Sequence, residues 1–243
     1  MQSNNMTLST LLIHKIFQFI DADYNLLIHV NGSTIEDRSK LLSIGLIMRS
    51  GCEEYFKHVL LSSRFKSILC EEAAKRGELN TLMWARRNGC KFSETCYYAA
   101  CYGNLDCLIW SRERGAPWTA SICQVAARKG YLDCLIWARE HGCNWNPLVC
   151  QVAASHGNLE CLIWAREHGC DWDSETCRGA AVNGHLDCLI WAREHGCDWD
   201  SDTCRGAAVN GHLDCLRWAR EHGCPYDDES ASITTAVGTL SLE

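Results

Sequence analysis

The chain has 243 residues, 47% of them hydrophobic and 22% charged, with only 3 Pro, which excludes a disordered, collagenous or mucin-like polymer. Its 23 basic side chains stand against 30 acidic ones, the reverse of the balance that a nucleic-acid binder shows. Residues 1–69 hold 7 basic and 6 acidic side chains and residues 70–243 hold 16 and 24, so the acidity belongs to the C-terminal part. In chain order, Leu8, Leu12, Ile13, Ile16, Phe17 and Ile20 share one face of a predicted helix that Thr7 or Ser9 would cap. His14, Lys15 and Gln18 interrupt its apolar run, which is too short for a membrane span and is followed by no export cleavage site. Asn31-Gly32-Ser33 marks a turn, and residues 41–48 and 55–61 read as two further helices.

From residue 70 the sequence repeats. Gly77, Gly103, Gly130, Gly157, Gly184 and Gly211 are spaced by 26 residues once and then by 27, and Trp84, Trp110, Trp137, Trp164, Trp191 and Trp218 keep the same steps. Each unit approximates Cys-x-x-Ala-Ala-x-x-Gly-x-Leu-x-Cys-Leu-x-Trp-Ala-Arg-Glu-x-Gly-Cys-x-Trp, and six copies fill residues 70–229. Within one copy, Asp173, Ser174 and Glu175 supply capping oxygens and negative charge for a helix start. Cys177, Ala180 and Ala181 then form a helical stripe that Asn183-Gly184 ends. Leu186, Leu189 and Ala192 open a second helix that Gly196 closes. Neither helix can bury its apolar side alone, so the copies must stack into a solenoid. The polar tail, residues 230–243, is expected to be poorly ordered.

The run Ala180-Ala181-Val182-Asn183-Gly184-His185-Leu186-Asp187, followed by Glu194-His195-Gly196-Cys197-Asp198-Trp199-Asp200, resembles an ankyrin repeat. That family has units of about 33 residues. Here the shortfall lies between Asp200 and Cys204, where ankyrins carry a β-hairpin finger. The resemblance implies an all-α, ankyrin-like helix-turn-helix repeat solenoid with short loops, and the N-terminal residues read as a helical cap domain. Shortened, Trp- and Cys-rich units of this kind resemble arrays of large DNA viruses and protists. The run Leu8-Ser9-Thr10-Leu11-Leu12-Ile13-His14-Lys15-Ile16-Phe17 resembles the first helix of an F-box, with Ser9 where that family has Pro. This second resemblance implies a Skp-type adaptor as partner for residues 8–48 and a role in ubiquitin ligation; a plain helical cap accounts for the same residues.

Sixteen of the eighteen cysteines fall in three columns at ankyrin positions that hold Leu, Val and Ala, so they read as small buried hydrophobes, reduced in the native protein, with Cys101 at an exposed variable position as the exception. No Cys-x-x-Cys occurs, and no metal or cofactor is expected. Both Trp columns read as core. His141, His168, His195 and His222 read as helix-end caps. Residues 177–197 and 204–224 agree at 20 of 21 positions, whereas an active site is one unique constellation, so the chain reads as a non-enzymatic scaffold. Recognition in such arrays comes from varying equivalent positions. The two positions between Ala-Ala and Gly are carried over from the ankyrin family as the binding surface. On this reading Lys75, Arg76, Tyr102, Arg128, Lys129 and His156 contact a protein partner. The protein is expected to be a monomer in the cytoplasm, or in host cytoplasm or nucleus if viral, with no membrane or nucleic-acid partner.

Overall fold

A computed structural model describes residues 63–226. The predicted N-terminal helices, the F-box-like run and the C-terminal tail lie outside the described residues. Among the described residues, twelve α-helices follow one another in pairs. They are α1 (Ser63–Arg76) with α2 (Leu79–Arg87), α3 (Thr95–Cys101) with α4 (Leu105–Glu113), and α5 (Ser121–Lys129) with α6 (Leu132–Glu140). The series continues with α7 (Leu148–Ser155) and α8 (Leu159–Glu167), α9 (Ser174–Val182) and α10 (Leu186–Glu194), and α11 (Ser201–Val209) and α12 (Leu213–Glu221). No strand occurs among the described residues, as expected where the finger segment is missing. The first helix α1 starts upstream of Cys70.

The boundaries follow the sequence grammar. The Asp173 backbone is extended, and its carboxylate accepts the Glu175 N–H at 3.1 Å; Asp200 accepts that of Asp202 in the same way. Each second helix of the last four copies ends on a His whose Nδ1–H donates to the Trp carbonyl one turn back, at 2.8 Å for His195. A left-handed glycine then reverses the chain, and the next Cys N–H returns to the helix, as Cys197 does to the Ala192 carbonyl at 3.0 Å.

Successive first helices, α1, α3, α5, α7, α9 and α11, pack closely against one another, whereas successive second helices touch at few positions. The first-helix row, called the inner row, is therefore the tightly packed side of the array. Small residues permit this approach. Every Ala-Ala pair from Ala73-Ala74 to Ala207-Ala208 is buried, and a Cβ on Gly179 would collide with Ser155. Leu82, Leu108, Leu135, Leu162 and Leu189 are fully buried behind them. Each contributes about 2 kcal/mol through removal of its apolar surface from water.

The cysteines lie where the sequence places them: sixteen of the seventeen described are buried, and Cys101 is half-buried. The tryptophans differ from expectation. Only Trp84 is buried, and the other nine are half-buried along the second-helix side. An indole is too large for the space between closely stacked helices, so these rings cover the core edge-on instead of filling it.

The glycine turns generate a test. Gly157 and Gly169 are both left-handed (φ 71° and 82°), but a Cβ at Gly157 would lie 2.6 Å from His185 Nδ1, whereas one at Gly169 meets open space. Gly169→Ala should cost about 1 kcal/mol, the backbone penalty alone. Gly157→Ala should cost clearly more, because it also pushes the next repeat away. Urea unfolding of both variants, read by helical circular dichroism, measures the difference.

Candidate functional site

The six predicted contact residues lie at the C-terminal ends of consecutive first helices, so the fold aligns them along one edge of the inner row. Lys75 and Arg76 end α1, Tyr102 follows α3, Arg128 and Lys129 end α5, and His156 follows α7. They are not equally available. Tyr102 is 52% exposed, and Arg128, Lys129 and His156 are exposed as well. Arg128 and Lys129 form no ion pair among the described residues, leaving two adjacent cations facing solvent. Lys75 is different. Its ammonium sits 2.5 Å from Glu72 Oε1 and 4.1 Å above the Tyr98 ring. Partial burial works against its charge, but the Glu72 carboxylate outweighs this, and its pKa ends above the ordinary lysine value.

The backbone under these variable side chains is held by the following repeat. Asn104 Nδ2 donates to the Ala74 and Lys75 carbonyls at 2.7 and 3.0 Å. Asn158 Nδ2 donates to those of Ala127 and Arg128, both at 2.8 Å. His185 performs the same task toward Ser155, and the Tyr131 ring lies against Gly103. The two asparagines thus bond four carbonyls at helix C-termini, of which Ala74 and Ala127 also receive the N–H of the glycine that ends the helix. Sequence reading missed this column, since Asn104, Tyr131, Asn158, His185 and His212 share a position but not an identity.

On the opposite side runs a second periodic system. Arg139 lies 4.4 Å above the Trp145 ring, Trp145 meets Trp164 edge-on at 5.7 Å, and His168 stacks on Trp164 at 4.2 Å. The same arrangement recurs from Arg112 to His141, Arg166 to His195 and Arg193 to His222. Each of these imidazoles spends Nδ1 on a helix carbonyl, so the histidines cap helices as the sequence suggests. No group of three metal-ligating side chains occurs among the described residues. A shallow groove of about 290 Å³ between the loops preceding α3 and α5 is lined by Glu94, Tyr97, Pro117, Trp118, Thr119 and Ile122. It brings one carboxylate beside aromatic walls, and nothing in the sequence pointed to it.

His185 gives the site a pH signature. Burial disfavours its imidazolium and holds its pKa below 6.5; the bond to Ser155 opposes this, while His156 and His212 add repulsion. The folded protein therefore binds this proton less readily than the unfolded chain does. Stability is full above pH 6.5 and falls as the pH drops through that value toward the lower folded pKa. His185→Asn, which places there the amide used at Asn104 and Asn158, should flatten this acid slope. Urea midpoints measured between about pH 5 and pH 7.5, the range in which an imidazole titrates, test it.

No protein-family model matches the chain, and no curated protein matches it. Among solved structures it is similar to the human ASB11 ankyrin repeat domain, with a TM-score of 0.57 and 16% identity, over 69% of this chain and 95% of that one. At that identity the likeness concerns the fold: the described residues form an ankyrin-like helical repeat array.

Proposed function

We propose that the protein is a non-enzymatic scaffold that binds an acidic segment of a partner protein along the inner edge of its first three repeats. The observation that carries this reading is the placement of exposed Tyr102 beside the solvent-facing cations Arg128 and Lys129 on consecutive helix ends. A partly exposed aromatic ring with flanking cations is the chemistry of an interface anchor. The hydrogen bonds from Asn158 to the Ala127 and Arg128 carbonyls fix the backbone beneath the two cations, which lowers the ordering cost of binding. Charge favours an acidic partner at this end, since the equivalent positions of the last two repeats are Val182-Asn183 and Val209-Asn210. Arg76 and His156 flank the patch, and Lys75, held by Glu72 and Tyr98, shapes its margin more than it contacts a ligand.

Affinity capture followed by lysine cross-linking tests this assignment. Cross-links should concentrate at Lys129, with few at Lys91, which is exposed on the loop after α2. The triple variant Tyr102→Ala, Arg128→Ala, Lys129→Ala should weaken capture at least roughly tenfold, the loss expected when anchor residues are truncated. Its helical circular dichroism should match that of the parent. Unchanged capture by the folded triple variant would place the interface elsewhere.

A further inference from the structure

Of the three cysteine columns, two meet. In five repeats the side chain of the first-helix cysteine interacts with that of the cysteine that follows the closing glycine, twenty residues later. The pairs are Cys70 with Cys90, Cys123 with Cys143, Cys150 with Cys170, Cys177 with Cys197, and Cys204 with Cys224. Cys150 Sγ also lies 3.9 Å from the Cys170 carbonyl, and Cys177 Sγ lies 4.0 Å from that of Cys197. The third column, Cys107 to Cys215, makes no thiol pair; desolvation is the leading influence on those groups. The second repeat is the exception, because Ala116 stands where the partner of Cys96 would be.

The thiols of Cys143, Cys170, Cys197 and Cys224 also bond a backbone carbonyl of the preceding loop. Cys143 Sγ donates to the Thr119 carbonyl at 3.3 Å, Cys170 to Asn146 at 3.4 Å, Cys197 to Asp173 at 3.2 Å and Cys224 to Asp200 at 3.3 Å. Each of these closing loops is thus stitched to the loop before it by a thiol, at the edge where a longer ankyrin unit would carry its finger. Within three of the pairs the hydrogen bond from the partner draws the pKa of Cys143, Cys170 and Cys197 below the ordinary thiol value and raises that of Cys123, Cys150 and Cys177. The closing-loop cysteine is therefore the better nucleophile of those pairs.

We infer that these five dithiols are intrachain disulfide sites, closed by a hydroperoxide when a closing loop opens to admit it. The thiolate of Cys170 attacks one peroxide oxygen; the O–O bond breaks, and the other oxygen leaves as an alcohol with the thiol proton. The resulting sulfenic acid is attacked by Cys150, its S–O bond breaks, and water leaves with the second thiol proton. Two thiols and one hydroperoxide give one disulfide, one alcohol and one water, the two sulfurs losing two electrons and the peroxide gaining them. Closure joins the start of a first helix to its own closing loop. It also removes the proton that bonded the preceding loop, so each repeat becomes tighter within itself while one loop-to-loop bond is lost.

The full chain, reduced and then treated with stoichiometric hydrogen peroxide, is digested and mapped by mass spectrometry. The expected products are disulfides joining cysteines twenty residues apart, with Cys96 and the Cys107-to-Cys215 column recovered as thiols. The oxidised protein should unfold at a higher temperature than the reduced one. Ala116→Cys supplies the missing partner and should yield a sixth disulfide, to Cys96. Scrambled pairs, intermolecular links, or a Cys96 thiol oxidised as readily as the paired ones would overturn the assignment. So would an Ala116→Cys variant that stays helical and forms no link between Cys96 and the introduced thiol.

Discussion

Close approach of the first helices is the constraint from which the other features follow. It requires an Ala-Ala pair on every first helix, and Gly179 and Gly206 where the helices come nearest. With the inner row so tightly packed, the larger side chains must lie on the other side, where the second helices diverge and half-buried tryptophans spread over the gap. Cysteine fits the same logic. It is small enough for the interior, yet its thiol can hydrogen-bond a carbonyl that a shortened loop leaves without a backbone partner.

The molecule separates constancy from variation by position. Ala, Cys and Leu recur wherever one repeat touches the next, whereas the two residues after each Ala-Ala pair vary, the first together with its neighbour in the next repeat, as Lys75 with Tyr98, Ser155 with Gly179 and Val182 with Gly206. Those two residues carry the repeat's individuality: basic in the first and third, aromatic in the second, small or amide-bearing in the last two. In the first and third repeats their backbones are tied by the next copy, so their side chains can change without moving the frame that presents them.

Most of the helical frame could be read from the sequence, because each boundary depends on a local signal: Asp173 before a helix, a left-handed Gly after one, Cys and Ala at helical spacing between. The ankyrin-like stack was legible for the same reason, since six copies of one weak signal reinforce each other. The half-exposed tryptophans were not, because conformity to a column says that a ring touches its neighbours and not how much of it they cover. The pinning column escaped notice because its hydrogen bonds run across about thirty residues and are made equally well by Asn104, Asn158 or His185. Of the candidate site, the positions were legible but their availability was not. Only the structure shows Lys75 occupied by Glu72 and Tyr98 while Arg128 and Lys129 face solvent.

The near-identity of residues 177–197 and 204–224 has a consequence for how such a molecule can grow. The contact between α9 and α11 is heterologous: the leading side of one unit meets the trailing side of the next, and the operation does not close on itself. Val182 lies against Gly206, and Val209, its counterpart one unit later, is exposed among the described residues. A duplicated unit would meet a surface already complementary to it, with no new interface to invent. Each insertion would also add two uncommitted positions to the inner edge. Length is thus a heritable variable of this architecture, adjustable in steps of one unit, and recognition can diversify in new copies while older ones keep their ligand.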